Sequence, residues 1–291
     1  MNDSDKVSVI IPAYNEGSVI RRVITGIKET LDECGYSYEI IVIDDGSKDN
    51  TAEESQSAGA TVYCRPYNIG NGAAVKLGIL KATGDYIVLM DGDGQHDPRD
   101  IPRFLENLPK YDLVVGARTR ESEGEVHRNL ANVIYNLLAS YVVGYKVEDL
   151  TSGFRAFNGN LVRKIAYLFP NGYSYPSTST IAVFRLGFGV RYIPIKADAR
   201  VGKSKIKLLR DGIRFLFIIL RIGTFFAPSR IFLPLASLVF FPGLVYAILR
   251  LIDGKPWTLP IVISVTGGIL FYVLGLISEQ IASLRLSRYE Q

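Results

Sequence analysis

Two aspartates two residues apart, Asp91 and Asp93 in the run MDGDGQHDP, are the first residues of this sequence whose types and spacing suggest chemistry. In an extended segment alternate side chains share a face. Two carboxylates on one face suit a hard divalent cation that takes oxygen ligands and keeps positions open for substrate phosphates. A calcium loop of the EF-hand type is excluded: counted from Asp91, the glycine position holds His96 and the bidentate glutamate position holds Pro102. A second acidic pair, Asp44–Asp45, ends another apolar run. Gly70-Asn71-Gly72 superficially resembles a dinucleotide fingerprint, but it continues as G-x-G-x-x-V in mid-chain. It is therefore expected to be a turn and helix start near phosphate. No Walker A motif occurs. Two histidines, His96 and His127, leave little for a histidine-based metal site, and His96 fits a site rim or a plain turn equally well. Cys34 and Cys64 are too few for a disulfide scaffold and read as reduced thiols.

The elements that position these groups follow from the pattern of apolar runs. Val7–Ala13, Glu39–Asp44, Thr61–Cys64, Asp85–Met90 and Leu113–Ala117 are short β-branched runs, expected to be strands. Between them helices are expected from a cap at Asn15-Glu16-Gly17 to about Cys34, from about Asn50, over Gly72–Lys81 and over Pro98–Leu108. Strands alternating with helices imply an α/β domain with a mostly parallel sheet covered on both faces. Ligands of such sheets sit beyond the carboxyl ends of the strands. Both acidic pairs fall there.

The 291 residues allow roughly two domains of about 150 residues. Apolar residues are 48% and charged residues 21%, with mean hydropathy +0.17, which excludes a disordered chain. The excess hydropathy lies at the end. Ile231–Leu249 and Leu259–Ile277 are uncharged, each just long enough to cross a bilayer core at 1.5 Å per residue. A pair of buried core helices is the competing reading. Pro234 and Pro242, inside the first run, are better tolerated in membrane helices than in soluble ones. From Lys196 to Arg230 there are nine Lys and Arg against Asp198 and Asp211. Arg285 and Arg288 follow the second run, whereas the intervening loop holds only Arg250 and Lys255. The bias predicts both ends of the hairpin, and the N-terminal domain, on the cytoplasmic side. Residues 206–230 mix these charges with Leu, Ile and Phe and are expected to form amphipathic helices on the membrane surface. Arg210, Arg214, Arg221 and Arg230 then face anionic head groups. Nucleic acid is an unsuitable partner, since the basic stretch leads straight into a span. The polar start MNDSDK is not expected to be a secretory leader.

Taken together, VSVIIPAYNE (Val7–Glu16), VIDDGSKDNT (Val42–Thr51), GDYIVLMDGDGQHDP (Gly84–Pro98), DLTSGFRAF (Asp149–Phe157) and ARVGKSK (Ala199–Lys205) form an ordered set. In this set the chain resembles family 2 inverting glycosyltransferases of the GT-A fold, and among them the dolichyl- or polyprenyl-phosphate sugar synthases. The resemblance covers about the first 205 residues. It implies a GT-A catalytic domain over 1–205, interface helices over 206–230 and a two-helix transmembrane hairpin over 231–291. By the same resemblance Pro12, Tyr14, Glu16, Ile43 and Asp45 match the nucleotide pocket. Asp91, Gly92, Asp93 and Gln95 match the acidic segment that holds Mg²⁺ or Mn²⁺ and the sugar diphosphate, with Asp93 and Gln95 nearest the metal. Arg200, with Ser204 and Lys205 beside it, matches the diphosphate contacts. Arg118 and Arg128 match positions facing the acceptor phosphate, and Asp149, Ser152 and Arg155 match the acceptor side.

The implied reaction moves a sugar from a GDP- or UDP-sugar to a polyprenyl or dolichyl phosphate, with inversion, at the cytoplasmic face of a membrane (the plasma membrane in a prokaryote). A phosphate monoester is largely ionised at neutral pH, with a second pKa near 6, so a nucleophile of this kind needs no strong general base. A processive polysaccharide synthase is disfavoured: the only tryptophan, Trp257, follows Pro256 and forms no Q-x-x-R-W motif. Transfer to another lipid such as diacylglycerol stays open. A non-catalytic scaffold is disfavoured by the retention of Asp45, Asp91, Asp93, Arg200 and Lys205. Which sugar is carried is not legible, and a homo-oligomer is left open.

Overall fold

The computed structural model describes residues 5–119, 126–172, 174–197, 217 and 220–286, with the backbone alone for 126–131 and 285–286. The chain divides into two compact units, Met1–Leu137 with Lys146–Gly212, and Leu138–Tyr145 with Ile213–Gln291.

The first unit is built on seven strands: β1 (Lys6–Ala13), β2 (Ser37–Asp44), β3 (Thr61–Cys64), β4 (Tyr86–Leu89), β5 (Leu113–Arg118), β6 (Arg155–Asn158) and β7 (Val190–Ile195), in the order β3-β2-β1-β4-β6-β5-β7. In β1 every residue after Lys6 is buried, as a central strand covered on both faces requires. The pairs β1–β2, β1–β4, β2–β3 and β5–β7 are parallel. β6 runs against both of its neighbours. Its first residue, Arg155, therefore pairs with Leu89 at the end of β4 and with Val115 in β5. The segment entering β6 thus reaches the edge where β1, β2, β4 and β5 end.

Helix α1 (Ile20–Glu33) buries Ile20, Val23, Ile24, Ile27 and Leu31, a helical-period face on the sheet. It starts later than the sequence predicts. Asn15-Glu16-Gly17 is not its cap: Val19 is, with no side-chain cap bond, and Asn15 takes a left-handed φ of 57°. Helices α2 (Thr51–Ser57) and α3 (Asn71–Lys81) lie close to expectation. The predicted helix 98–108 is divided into a 3-10 turn (Pro98–Asp100), α4 (Ile101–Leu105) and further single turns, because Pro98 and Pro102 each withhold a backbone donor. Helices α6 (Gly159–Ile165) and α7 (Tyr175–Arg185) follow in the same unit, and α5 (Val126–Val143) begins in it and ends in the second. α7 is unusual in burying Ser177, Thr178, Ser179 and Thr180 in its first turns.

In the second unit α8 (Ser229–Ile252) and α9 (Leu259–Leu286) form a hairpin. Both are long and apolar enough to cross a membrane, and only 17% of each apolar window is buried. Core helices of a soluble domain would be mostly covered. Leu238, for example, is 72% exposed. Small residues let the backbones approach: Gly243 meets Ser264, Gly268 meets Phe240 and Gly275 meets Phe232. Ser264 Oγ donates to Val239 O across the seam. At the other end Glu279 accepts the Ser229 N–H at 3.0 Å, satisfying one of the orphan donors that open α8.

Candidate active site

The two loops after β1 and β2 are tied into one wall. Asn15 N–H donates to Ser47 Oγ (2.9 Å), and Lys48 N–H donates to Asn15 Oδ1 (2.8 Å). Glu16 N–H donates to Thr51 Oγ1 (2.9 Å) and Gly17 N–H to Asp49 Oδ2 (3.0 Å). Asp49 also accepts from the Thr51 N–H and hydroxyl. Burial raises its pKa, but the Thr51 and Gly17 donors outweigh that and hold it below the usual carboxylate range. This clamp holds Tyr14, 42% exposed, and Glu16 at the rim. Pro12 and Ile43 are register partners, both buried, and form the floor beneath it.

Asp45 is buried, and its carboxylate is engaged within the protein. It accepts the Ile69 N–H (3.1 Å), the Gly70 N–H (2.8 Å) and Arg65 Nη1 (3.1 Å). Asp45 therefore orders the β3–α3 loop beside the β2 end. Gly70–Gly72, expected as a turn and helix start near phosphate, does open α3, and its first donors are taken up within the protein. Ala73 N–H donates to Asn171 O (2.8 Å) and Gly72 N–H to Gly172 O (3.2 Å), so two of the free donors of α3 are already capped.

The turn after β4 carries the acidic pair. Asp91, Asp93 and Gln95 are half-buried, Gly92 is buried, and Gln95 N–H donates to Asp93 Oδ1 at 3.2 Å. Gly92 sits where a Cβ would meet Ile20 and Ile11 at 3.1 and 3.2 Å. Across from it, Gly153 is packed so closely on Asp91 that a Cβ there would enter the carboxylate. His96 lies beneath. Its ring is buried against Phe154 at 5.1 Å, its backbone bridges to Ala197, and its Nε2 is 3.9 Å from Asp91 Oδ2. Burial lowers its pKa to about 4, so the imidazole is neutral at pH 7.

Opposite the acidic turn, Arg118 forms a two-pronged pair with Asp149: Nε to Oδ2 at 2.8 Å and Nη2 to Oδ1 at 2.9 Å. Asp149 also accepts the Arg118, Thr151 and Ser152 N–H groups. Burial would raise its pKa, but the Arg118 bonds and charge outweigh it and leave the carboxyl below its ordinary value. Asn136 of α5 holds the segment from behind, donating to Glu148 O (2.6 Å) and accepting Leu150 N–H (3.0 Å). Ser152 is buried, and its Oγ has no hydrogen-bond partner among the described residues.

Arg155 is fully buried and its guanidinium bonds inward, to Ser152 O, Pro176 O (2.9 Å), Ser179 Oγ (2.7 Å) and Thr180 Oγ1 (3.2 Å). It supports the turn from below, whereas the resemblance places it on the acceptor side of the site. Tyr175 OH holds the next carbonyl, Gly153 O, at 3.1 Å. The polar turns of α7 thus exist to solvate a buried cation, as a buried charge requires. The sequence reading missed this role and those of Asp49, Gly153 and Tyr175. The D-x-T spacing of Asp49 and Thr51 is the one local signal that could have shown any of them.

Asp91, Asp93 and Gln95 are oxygen donors on one turn, a set that fits a hard divalent cation. Among the described residues no three His, Cys, Asp or Glu groups converge, so a cation here would draw other ligands from substrate or water. Arg128 lies in α5 with its side chain outside the described residues. Arg200, Ser204 and Lys205 also lie outside them.

Comparison with known proteins agrees with this architecture. An undecaprenyl-phosphate 4-deoxy-4-formamido-L-arabinose transferase of Proteus mirabilis (strain HI4320) is 27% identical over 301 residues, 96% of this chain and 89% of that protein. Crystal structures of glucosyl-3-phosphoglycerate synthase from Mycobacterium tuberculosis share the fold at 24% identity. The complex with phosphoglyceric acid has a TM-score of 0.63 over 76% of this chain and 80% of that one. The complex with Mn²⁺ and UDP-glucose has 0.62 over 76% and 79%. Residues 227–284 match the GtrB C-terminal hairpin. Residues 8–166 match Glycosyl transferase family 2, and the chain belongs to that family and is a glycosyltransferase.

Proposed function

We propose that this glycosyltransferase moves a sugar from a GDP- or UDP-sugar to a polyprenyl or dolichyl phosphate, with inversion and with Mg²⁺ or Mn²⁺. The observation that carries the reading is the sharing of one sheet edge by the acidic turn 91–95 and the Arg118–Asp149 segment. The two bilayer-length apolar helices in the same chain favour a lipid acceptor. The activity printed for the Proteus mirabilis relative, transfer involving undecaprenyl phosphate, supports the acceptor class. The Mn²⁺ and UDP-glucose in the mycobacterial complex support the donor class.

In this reading Tyr14, Glu16 and the β2–α2 loop receive the nucleotide, above the floor made by Pro12 and Ile43. Asp91, Asp93 and Gln95 hold the cation, which would neutralise charge developing on the leaving diphosphate. Arg200 and Lys205 add positive charge to that leaving group. Arg118 and Arg128 orient the acceptor phosphate for in-line attack, Arg118 with its plane fixed by Asp149. An ionised phosphate oxygen attacks the anomeric carbon, the bond to the diphosphate breaks, and no proton needs removal. His96, buried and neutral, is therefore not required as a base. In the same reading residues 1–205 are the catalytic domain and 231–291 the anchor, with both ends of the hairpin cytoplasmic by charge bias; the interface helices expected over 206–230 fall in part outside the described residues.

The test uses the chain purified in detergent with polyprenyl phosphate, Mg²⁺ or Mn²⁺, and a panel of radiolabelled UDP- and GDP-sugars. Label should enter the lipid from one donor, EDTA should abolish transfer, and Asp93→Asn should lose at least about 100-fold. Transfer that survives EDTA and Asp93→Asn unchanged would overturn the metal assignment.

A further inference from the structure

Among the buried polar groups the chemistry above leaves unused, His96 stands at a junction. Its side chain lies in the acidic turn, 3.9 Å from Asp91 Oδ2 through Nε2. Its ring packs on Phe154, which follows Gly153, the residue pressed against the same carboxylate. Its backbone bridges to Ala197, just after β7. Its Nδ1 is buried without a hydrogen-bond partner among the described residues. A buried polar atom left unpaired is costly unless something else fixes the group in place. A turn-filling residue at this point would be served better by an apolar side chain, which leaves nothing unpaired.

We propose that His96 is a positioning residue for Asp91: its Nε2, 3.9 Å from Oδ2, together with the Gly153 backbone, holds the Asp91 carboxylate in the orientation the donor site uses. The inference rests on the donor-site reading given above and does not depend on the acceptor. Asp91 is gripped from two sides. Gly153 limits how far the carboxylate swings toward β6, and His96 places a polar atom 3.9 Å from its Oδ2. At 3.9 Å the pair is longer than a hydrogen bond. Such contacts at reaction centres are often long before substrate binds and tighten in the complex. Outer-shell partners of metal-site carboxylates are typically worth 10- to 100-fold in affinity or activity.

The experiment measures binding of Mn²⁺ in the presence of UDP or GDP by electron paramagnetic resonance, and donor turnover, for the whole chain in detergent. The variants are His96→Phe, His96→Gln, His96→Asn and Asp91→Asn, and the double variants that combine Asp91→Asn with each change at His96. Phe keeps the ring on Phe154 but has no donor. Gln places an amide N–H near the Nε2 position, and Asn places one near Nδ1. His96→Phe is expected to weaken Mn²⁺–nucleotide binding about 10-fold, and Gln to restore it to within about threefold while Asn does not. His96→Phe is expected to cost little more once Asp91→Asn is present, because the two act as a unit.

Binding by His96→Phe equal to wild type, a Gln variant no better than Phe, or additive losses when His96→Phe is combined with Asp91→Asn would each overturn the proposal. If His96→Phe does not fold, the Gln-against-Asn contrast and its dependence on Asp91→Asn decide the matter by the same criteria. A wild-type chain that binds neither Mn²⁺–UDP nor Mn²⁺–GDP would overturn the donor-site reading itself. Binding without transfer to any lipid phosphate would overturn only the acceptor reading.

Discussion

Replacing Asp149 by Asn keeps the shape of the side chain and removes its charge. In the native protein one carboxylate oxygen accepts from Arg118 Nη2, Thr151 N–H and Ser152 N–H, and the other from Arg118 Nε and the Arg118 N–H. Whichever oxygen becomes the amide nitrogen, at least two donors lose their acceptor and face another donor. Hydrogen bonds to a charged group contribute about 1.5–3 kcal/mol each, giving about 3–6 kcal/mol. The Arg118 side chain is partly exposed, so water recovers part of that and the loss falls near 3 kcal/mol. For a unit of this size about 3 kcal/mol lowers the melting temperature by about 6–12 °C. Far-ultraviolet circular dichroism of the chain in detergent reads this loss; tryptophan fluorescence does not, since Trp257 lies between the two apolar helices. Glu54→Gln, which breaks the exposed Arg21–Glu54 pair, serves as the control and should move the transition by under about 2 °C. The Asp149 pKa is below its unfolded value, so its stabilisation is present above the ordinary carboxylate pKa. It is lost as pH falls through the lower folded value. The gap between Asp149→Asn and wild type should therefore hold from pH 7 to 5 and close in stronger acid. An Asp149→Asn transition within 2 °C of wild type at pH 7 would refute the reasoning.

Other perturbations follow from the same contacts. Gly153→Ala should cut turnover at least about 10-fold, because the added methyl displaces the Asp91 carboxylate; donor kinetics check this. Asp49→Asn loosens the clamp on Tyr14 and Glu16, and should raise the donor KM about fivefold with a smaller change in kcat. Tyr175→Phe removes the donor to Gly153 O and should cost about 1 kcal/mol, seen as a melting shift of about 2–4 °C.

The sequence made some of this architecture legible and hid the rest for identifiable reasons. β1 and the second half of β2 are rich in Val and Ile and buried on both faces, the pattern of central strands. β6, RAFN, is four residues long and opens on a buried arginine, so it carries no strand pattern. β7, VRYIPI, is interrupted by proline. Asn15-Glu16-Gly17 looks like a helix cap because those residue types cap helices, yet here they hold one loop to another. Asp91 and Asp93 stand out in the sequence by their spacing, and the structure puts both on the turn after β4. The burial of Arg155 was not legible, because its partners in α7, carbonyl and hydroxyl groups, lie more than 20 residues away in sequence. The Gly70–Gly72 helix start was legible; its capping by the carbonyls of Asn171 and Gly172 was a tertiary contact.

The central claim is that a lipid phosphate is the attacking group. The most direct measurement offers the enzyme its preferred donor with polyprenyl phosphate, the matching polyprenol, or diacylglycerol in parallel, and counts sugar in the organic phase. The account predicts transfer to polyprenyl phosphate and none to the polyprenol, which lacks the ionised oxygen. It also predicts that Arg118→Ala raises the KM for polyprenyl phosphate more than that for the donor. Equal transfer to the polyprenol, or transfer to diacylglycerol alone, would contradict it.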